Sequence, residues 1–233
     1  MSVSLDFSDR TVLVTGACGA LGSAVARAFE TADATVWATD IVDIESDDSL
    51  LDPDGIRFVR GDATNEADVT TIIETVVEES GGLDHCCNVA GTWRGGDTIA
   101  ETAVDEVQFL FDVNVVTAFL VSKHALPHLE RAGGTIVNVS SRSSLSGGAG
   151  DGPYRASTAA IRILTETIAE EYSGTVRANA VMPSVIDTPM NREMMEPKEE
   201  WVDPKDIAQT FLALSSEIMP VTSGAAIPVY GEA

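Results

Sequence analysis

The stretch PYRASTAA, residues 153–160, carries a tyrosine, Tyr154, and a threonine, Thr158, four positions later. On a helix that spacing places both residues on one face, one turn apart. A phenol paired at this distance is a candidate acid–base group, because a neighbouring cation lowers its pKa toward neutrality. Threonine carries no charge. The residues therefore pose two readings: a proton-transfer site whose cation has been lost, or a tyrosine in ordinary packing.

A second constellation is TGACGALG, residues 15–22. Gly16, Gly19 and Gly22 let the backbone turn tightly and approach a pyrophosphate closely, and a helix N-terminus behind them offers free N–H groups. Cys18, Ala20 and Leu21 belong to the same expected phosphate-binding turn. Asp40 ends the next apolar run, 24 residues after Gly16. A carboxylate there accepts hydrogen bonds from both ribose hydroxyls and repels a 2′-phosphate. No Arg or Lys stands at Ala17, Cys18 or Ile41 to receive such a phosphate, so NAD(H) is the expected cofactor. The alternative is a glycine turn in an unliganded domain, with Asp40 a surface acid.

These residues need a frame, and the pattern of apolar runs supplies one. Short β-branched runs at 11–15, 34–40, 57–62, 83–91, 134–141, 175–183 and 225–230 read as strands. Between them, helical periodicity covers 20–32, 67–79, 103–126, 153–172 and 203–216. Alternating apolar strands and helices imply a parallel sheet covered on both faces. Right-handed crossovers then give a doubly wound α/β sheet. The segments 43–55 and 191–201 read as surface loops inside one domain spanning 1–233.

TGACGALG, Asp62 after the third strand, NVAG (88–91), Asn114 within DVNVV, the Ser pair closing strand five and Tyr154 occur in one order along the chain. Together they resemble the short-chain dehydrogenase/reductase (SDR) family over nearly the whole sequence. The resemblance implies a single Rossmann-type domain with a seven-stranded parallel sheet. It implies that Asp62 and Ala63 border the adenine, and that Asn88, Ala90 and Gly91 form the floor under the adenosine ribose. Pro183, Val185 and Thr188 would then lie toward the nicotinamide carboxamide.

The family's serine precedes its tyrosine by 13 positions, which selects Ser141. By resemblance, Ser141 binds the substrate oxygen, Tyr154 exchanges its proton and Asn114 holds a relay water. The family's lysine falls on Thr158. That ammonium binds the nicotinamide ribose and favours the phenolate. Without it a phenol of pKa about 10 is roughly one part in a thousand ionised at neutral pH. The implied function is NAD(H)-dependent interconversion of an alcohol and a carbonyl, impaired at Thr158. The alternative is a non-catalytic NAD-binding sensor or partner subunit on the same scaffold. Trp93, Arg94 and Arg142 are candidates to line the cleft, the two arginines toward an anionic substrate. The short segment between Thr188 and Trp201 would leave that cleft open.

The charge balance narrows the partners. Asp and Glu number 37 against 14 Lys and Arg, for a net charge of −23. Such a surface repels nucleic acid. It is similar to that of proteins from salt-loving cells, where screening tolerates self-repulsion. Cys18, Cys86 and Cys87 suit neither a disulfide framework nor a zinc site, and His124 and His128 lack a third ligand, so no metal is expected. No apolar run is long enough to span a bilayer, and the N-terminus has no leader pattern. The expectation is a cytoplasmic protein acting on a small carbonyl or alcohol, and the family resemblance implies a homodimer or homotetramer with contacts through the helices near 103–126 and 153–172 and the final strand.

Overall fold

β-branched and small residues dominate the strands because both faces of the sheet are covered, so no polar face is needed. The computed structural model describes residues 5–231. Its strands are β1 (Thr11–Thr15), β2 (Thr35–Asp40), β3 (Ile56–Arg60), β4 (His85–Asn88), β5 (Thr135–Val139), β6 (Arg177–Pro183) and β7 (Ala226–Val229). They form one sheet in the order β3-β2-β1-β4-β5-β6-β7. Every neighbouring pair is parallel. The winding direction reverses between β1 and β4, which opens a crevice at the carboxyl ends of those strands.

The helices are α1 (Ala20–Thr31), α2 (Glu66–Ser80), α3 (Val104–Phe111), α4 (Thr117–Ala132), α5 (Gly152–Glu171), α6 (Pro189–Met194) and α7 (Pro204–Ser215). Alternate strand residues feed two cores. Val12 and Val14 pack with Val25, Phe29, Phe211 and Leu214 beneath α1 and α7. Leu13, Cys86 and Ile136 pack with Ile72, Val121, Leu129 and Ile168 on the opposite face. Burial of one such side chain is worth about 1.5–3 kcal/mol. Phe29 is fully buried and meets Phe7 edge-on at 5.0 Å.

Two elements depart from the sequence reading. The helix expected over 103–126 is broken at its middle by a π turn, Asp112–Val116, and then runs on to Ala132 through Pro127. The segment 191–201 begins inside α6, whose N-cap is Thr188. The segment 43–55 is a surface loop as expected, yet it folds back on the glycine turn: Leu50 N–H donates to Cys18 O at 2.9 Å. No helix among the described residues is long and apolar enough to cross a membrane.

Candidate active site

The glycine turn lies at the reversal point. Gly16 adopts φ +64°, a conformation that costs a side chain energy. A Cβ there would sit 2.7 Å from Ala90 Cα, and one on Gly22 would overlap Gly16 O. The glycines thus let β1, the 88–91 segment and α1 converge. α1 begins at Gly19 with no side-chain cap and no acidic residue in its first turn. α2, by contrast, is capped by Asn65 and opens with Glu66 and Asp68. The N–H groups at the start of α1 are left for an anion, and the donor set fits a pyrophosphate.

The Asp40 carboxylate is fixed by two backbone donors. Cys18 N–H reaches Oδ2 at 2.9 Å and Val42 N–H reaches Oδ1 at 3.0 Å. Each oxygen keeps a lone pair for a ribose hydroxyl. Ile41 is 60% exposed beside it. Arg60 Nε donates to Ile41 O, and a cavity of about 460 Å³ is lined by Ile41, Arg60, Gly61, Asp62 and Asp68. Asp62 Oδ1 accepts from the N–H and hydroxyl of Thr64, leaving Oδ2 for a ligand. Ala63 and Leu21 are buried, one in each of the two cores. The Cys18 thiol is buried and points to Val42 O, and burial raises its pKa.

Thr15 was not singled out from the sequence. Its Oγ1 accepts both Val89 N–H and Ala90 N–H at 3.1 Å, which holds the NVAG segment against β1. Asn88, expected in the floor under the ribose, uses its side chain for packing. Its side chain is turned into the helix-covered layer, donating to Ser122 Oγ at 3.1 Å and Asn138 Oδ1 at 2.8 Å. Asn138 in turn donates to Thr165 Oγ1. This buried chain of amides and hydroxyls ties α4, β4, β5 and α5 together, and an unmade bond inside it would be costly.

Asn114, expected to hold a relay water, has its side-chain amide engaged by protein groups. It sits in the π turn and clamps Thr92. Oδ1 accepts from Thr92 N–H at 2.8 Å, and Nδ2 donates to Thr92 O at 3.1 Å and Ser157 Oγ at 3.0 Å. Both amide protons are thereby committed. Ser157 Oγ donates onward to Tyr154 O at 2.9 Å, so the clamp reaches the backbone of the tyrosine. Gly91 is needed beside it, because a Cβ would lie 3.2 Å from Asn114 Oδ1.

Ser141 and Tyr154 are brought together. Ser141 ends the strand-five segment, and its Oγ accepts Ser143 N–H at 3.1 Å, leaving its own proton to donate. The Ser141 side chain comes close enough to the Tyr154 phenol to act on its proton. Burial lifts the phenol pKa above the ordinary tyrosine value. Ser141 pulls it back, Asp151 pushes it up and Arg155 pulls it down. Thr158 is 4% exposed. Its hydroxyl donates to Tyr154 O at 3.0 Å and Arg155 O at 3.2 Å, and its carbonyl accepts from Ser140 Oγ at 2.8 Å.

No lysine replaces the missing charge. Lys123 pairs with Glu66 and Lys198 with Glu200, while Lys205 opens α7. Arg94 stacks on Phe109 at 3.5 Å, and Arg142 lies 4.8 Å from the Tyr230 ring centroid. Arg142 stands in a 3₁₀ turn, Arg142–Leu145. On the nicotinamide side, Pro183 ends β6 and Val185 is exposed. Thr188 Oγ1 accepts Asn191 N–H at 3.1 Å and retains its proton.

Comparison with known proteins agrees with this geometry. The model of the short chain dehydrogenase family matches residues 10–199, and the chain belongs to that family of oxidoreductases, whose members use nicotinamide dinucleotides. The chain is 31% identical to the meso-2,3-butanediol dehydrogenase of Serratia marcescens, covering 97% of this chain and 95% of that protein. It is 33% identical to a 3-alpha-(or 20-beta)-hydroxysteroid dehydrogenase of Mycobacterium tuberculosis over 92% of this chain and 80% of that one. Among solved structures, the ligand-free aldohexose dehydrogenase of Thermoplasma acidophilum superposes with a TM-score of 0.88 at 26% identity, covering 98% of this chain and 95% of that one.

Proposed function

We propose that this protein is an NAD(H)-preferring oxidoreductase that interconverts a small alcohol and its carbonyl, with its oxidative direction weakened at Thr158. The observation that carries this reading is the approach of the Ser141 side chain to the Tyr154 phenol, in a fold whose glycine turn leaves the first N–H groups of α1 for an anion. Gly16, Gly19 and the first turn of α1 would hold the pyrophosphate, Asp40 the adenosine ribose, Asp62 the adenine and Thr188 the carboxamide. A bound nicotinamide supplies or accepts hydride.

The chain's own residues manage the proton. The Ser141 hydroxyl donates to the substrate oxygen and fixes it beside the phenol. In reduction, Tyr154 delivers its proton to that oxygen, and its raised pKa keeps it protonated and ready. In oxidation, the same phenol must first lose its proton. Burial opposes that, and the Thr158 hydroxyl, turned onto its own helix, does not help. Asp40 supports NAD(H) over NADP(H), because a second anion beside a fixed carboxylate is repelled. Exposed Phe119 on α4 and Ile163 on α5 support self-association through those helices.

The test is a titration of NADH in molar salt, followed by reduction of a carbonyl panel by the natural chain and by Thr158→Lys. Binding of NADH with turnover that rises in the variant supports the reading. Absence of NADH binding overturns it. Binding without turnover in either protein assigns the scaffold to cofactor sensing.

A further inference from the structure

Arg155 follows Tyr154 directly, and its side chain gathers the segment that joins the tyrosine to Ser141. Nε donates to Asp151 Oδ1 at 2.6 Å, and Nη1 donates to Ser146 O at 3.0 Å and Ser143 O at 3.4 Å. Gly148 lies flat on the guanidinium, where any Cβ would overlap it. Both partners of the ion pair are shielded, with side chains 24% and 15% exposed. From residue 146 to 151 the chain forms no helix or strand. It contains Gly147, Gly148 and Gly150, the last at φ +84°. Such a run is entropically expensive to order. Its outer edge is held by one backbone bond, Gly96 N–H to Gly150 O at 2.6 Å.

We infer that Arg155 is a positioning residue, whose guanidinium is the scaffold on which residues 143–151 fold, so that Ser141 stays against Tyr154 and the substrate side of the cleft keeps its shape. The inference rests on the oxidoreductase reading for its consequence in turnover. The guanidinium serves the carboxylate from Nε and the two carbonyls from Nη1, a fixed spread of donors that the single nitrogen of a lysine does not reproduce. Because Asp151 holds the same guanidinium, Arg155 orders the site without acting as a free cation in place of the absent lysine. It touches no reacting atom.

The experiment compares Arg155→Ala, Arg155→Lys and Asp151→Asn, each in the natural chain and in a Thr158→Lys background. Hydrogen exchange is read on peptides covering 142–152, with α7 as the internal reference. NADH affinity is measured by titration. Carbonyl KM and kcat are measured in the Thr158→Lys background. Arg155→Ala is expected to raise exchange across 142–152 and the carbonyl KM by about tenfold each, the loss of one or two charged hydrogen bonds. α7 exchange and NADH affinity stay unchanged, and Arg155→Lys and Asp151→Asn fall between. Unchanged exchange in 142–152, or equal loss of protection in α7, overturns the inference, as does an unchanged KM. If Arg155→Ala does not fold, the two milder variants decide by the same readouts. If NADH binds but the parent turns over no carbonyl, the oxidoreductase reading fails, and the exchange data alone decide for or against the scaffold.

Discussion

The Thr158 hydroxyl donates to the carbonyl oxygen of Tyr154, 3.0 Å away on the same helix. The polar group one turn below the phenol is therefore directed at backbone, and the phenol's proton depends on Ser141, Asp151 and Arg155.

Replacing Thr158 by lysine is expected to act unequally on the two directions. An ammonium within about 4–6 Å lowers a neighbouring acid's pKa by one to three units, each unit being tenfold in phenolate. Oxidation at neutral pH is expected to gain about 10- to 1,000-fold and reduction much less. In the natural chain the raised phenol pKa means that oxidation climbs about tenfold per pH unit through the alkaline range, while reduction is flat there. Steady-state rates in both directions across that range test this, and equal gains in both would refute it.

Asp40→Asn is expected to weaken NADH binding by roughly tenfold, the value of one hydrogen bond to a charged acceptor. The amide can accept from Cys18 N–H or Val42 N–H, but its NH₂ then confronts the other donor. Discrimination against NADPH is expected to fall further than NADH affinity does, because the carboxylate's repulsion is removed. Parallel titrations of the two cofactors give both quantities.

His85 gives the protein an acid limit. It is buried between Phe7 and Phe29 with Nδ1 2.8 Å from Thr135 Oγ1, and burial lowers its pKa from 6.5 to about 4. The unfolded chain binds this proton below pH 6.5 and the folded one only below about 4. Stability is therefore full above 6.5 and falls as pH drops through that window, by about 3 kcal/mol in all. Urea denaturation at several pH values is expected to show this loss in the natural chain and a smaller one in His85→Gln.

The net charge of −23 predicts a salt requirement. Raising ionic strength from 0.1 M to 1 M shortens the screening length from about 10 Å to about 3 Å. Relief of self-repulsion by a few kcal/mol would raise Tm by roughly 5–10 °C for a chain of this size. Thermal scans in KCl measure it, and a flat or falling Tm would contradict the halophilic reading.

The sheet was legible because each strand is a short apolar run bounded by turn residues, and the glycine turn because three glycines stand between a strand and a helix. The pairing of Ser141 with Tyr154 followed from the family's spacing. What stayed hidden depends on side-chain direction. Asn88 and Asn114 stand at motif positions, yet both amides are turned to structural partners, and nothing in a linear pattern tells an amide facing a ligand from one facing a serine. The role of Thr15 was hidden for the same reason. The π turn was invisible because DVNVV is compatible with any helical pitch. The role of Arg155 stayed hidden too, because what its side chain meets is set by loop glycines whose packing has no periodicity.

The wide turn at Asp112–Val116 contains one residue more than an α-helix of the same span. α3 and α4 are consequently out of phase by one residue, roughly 100° of rotation. A single-residue deletion there would let one uninterrupted cylinder form, and would swing either the Asn114 amide off Thr92 or the apolar stripe of α4 off the sheet. The site's geometry is in this sense encoded as a counting error in a helix: the clamp on the cleft and the packing of the core can both be satisfied only because the chain between them is one residue too long.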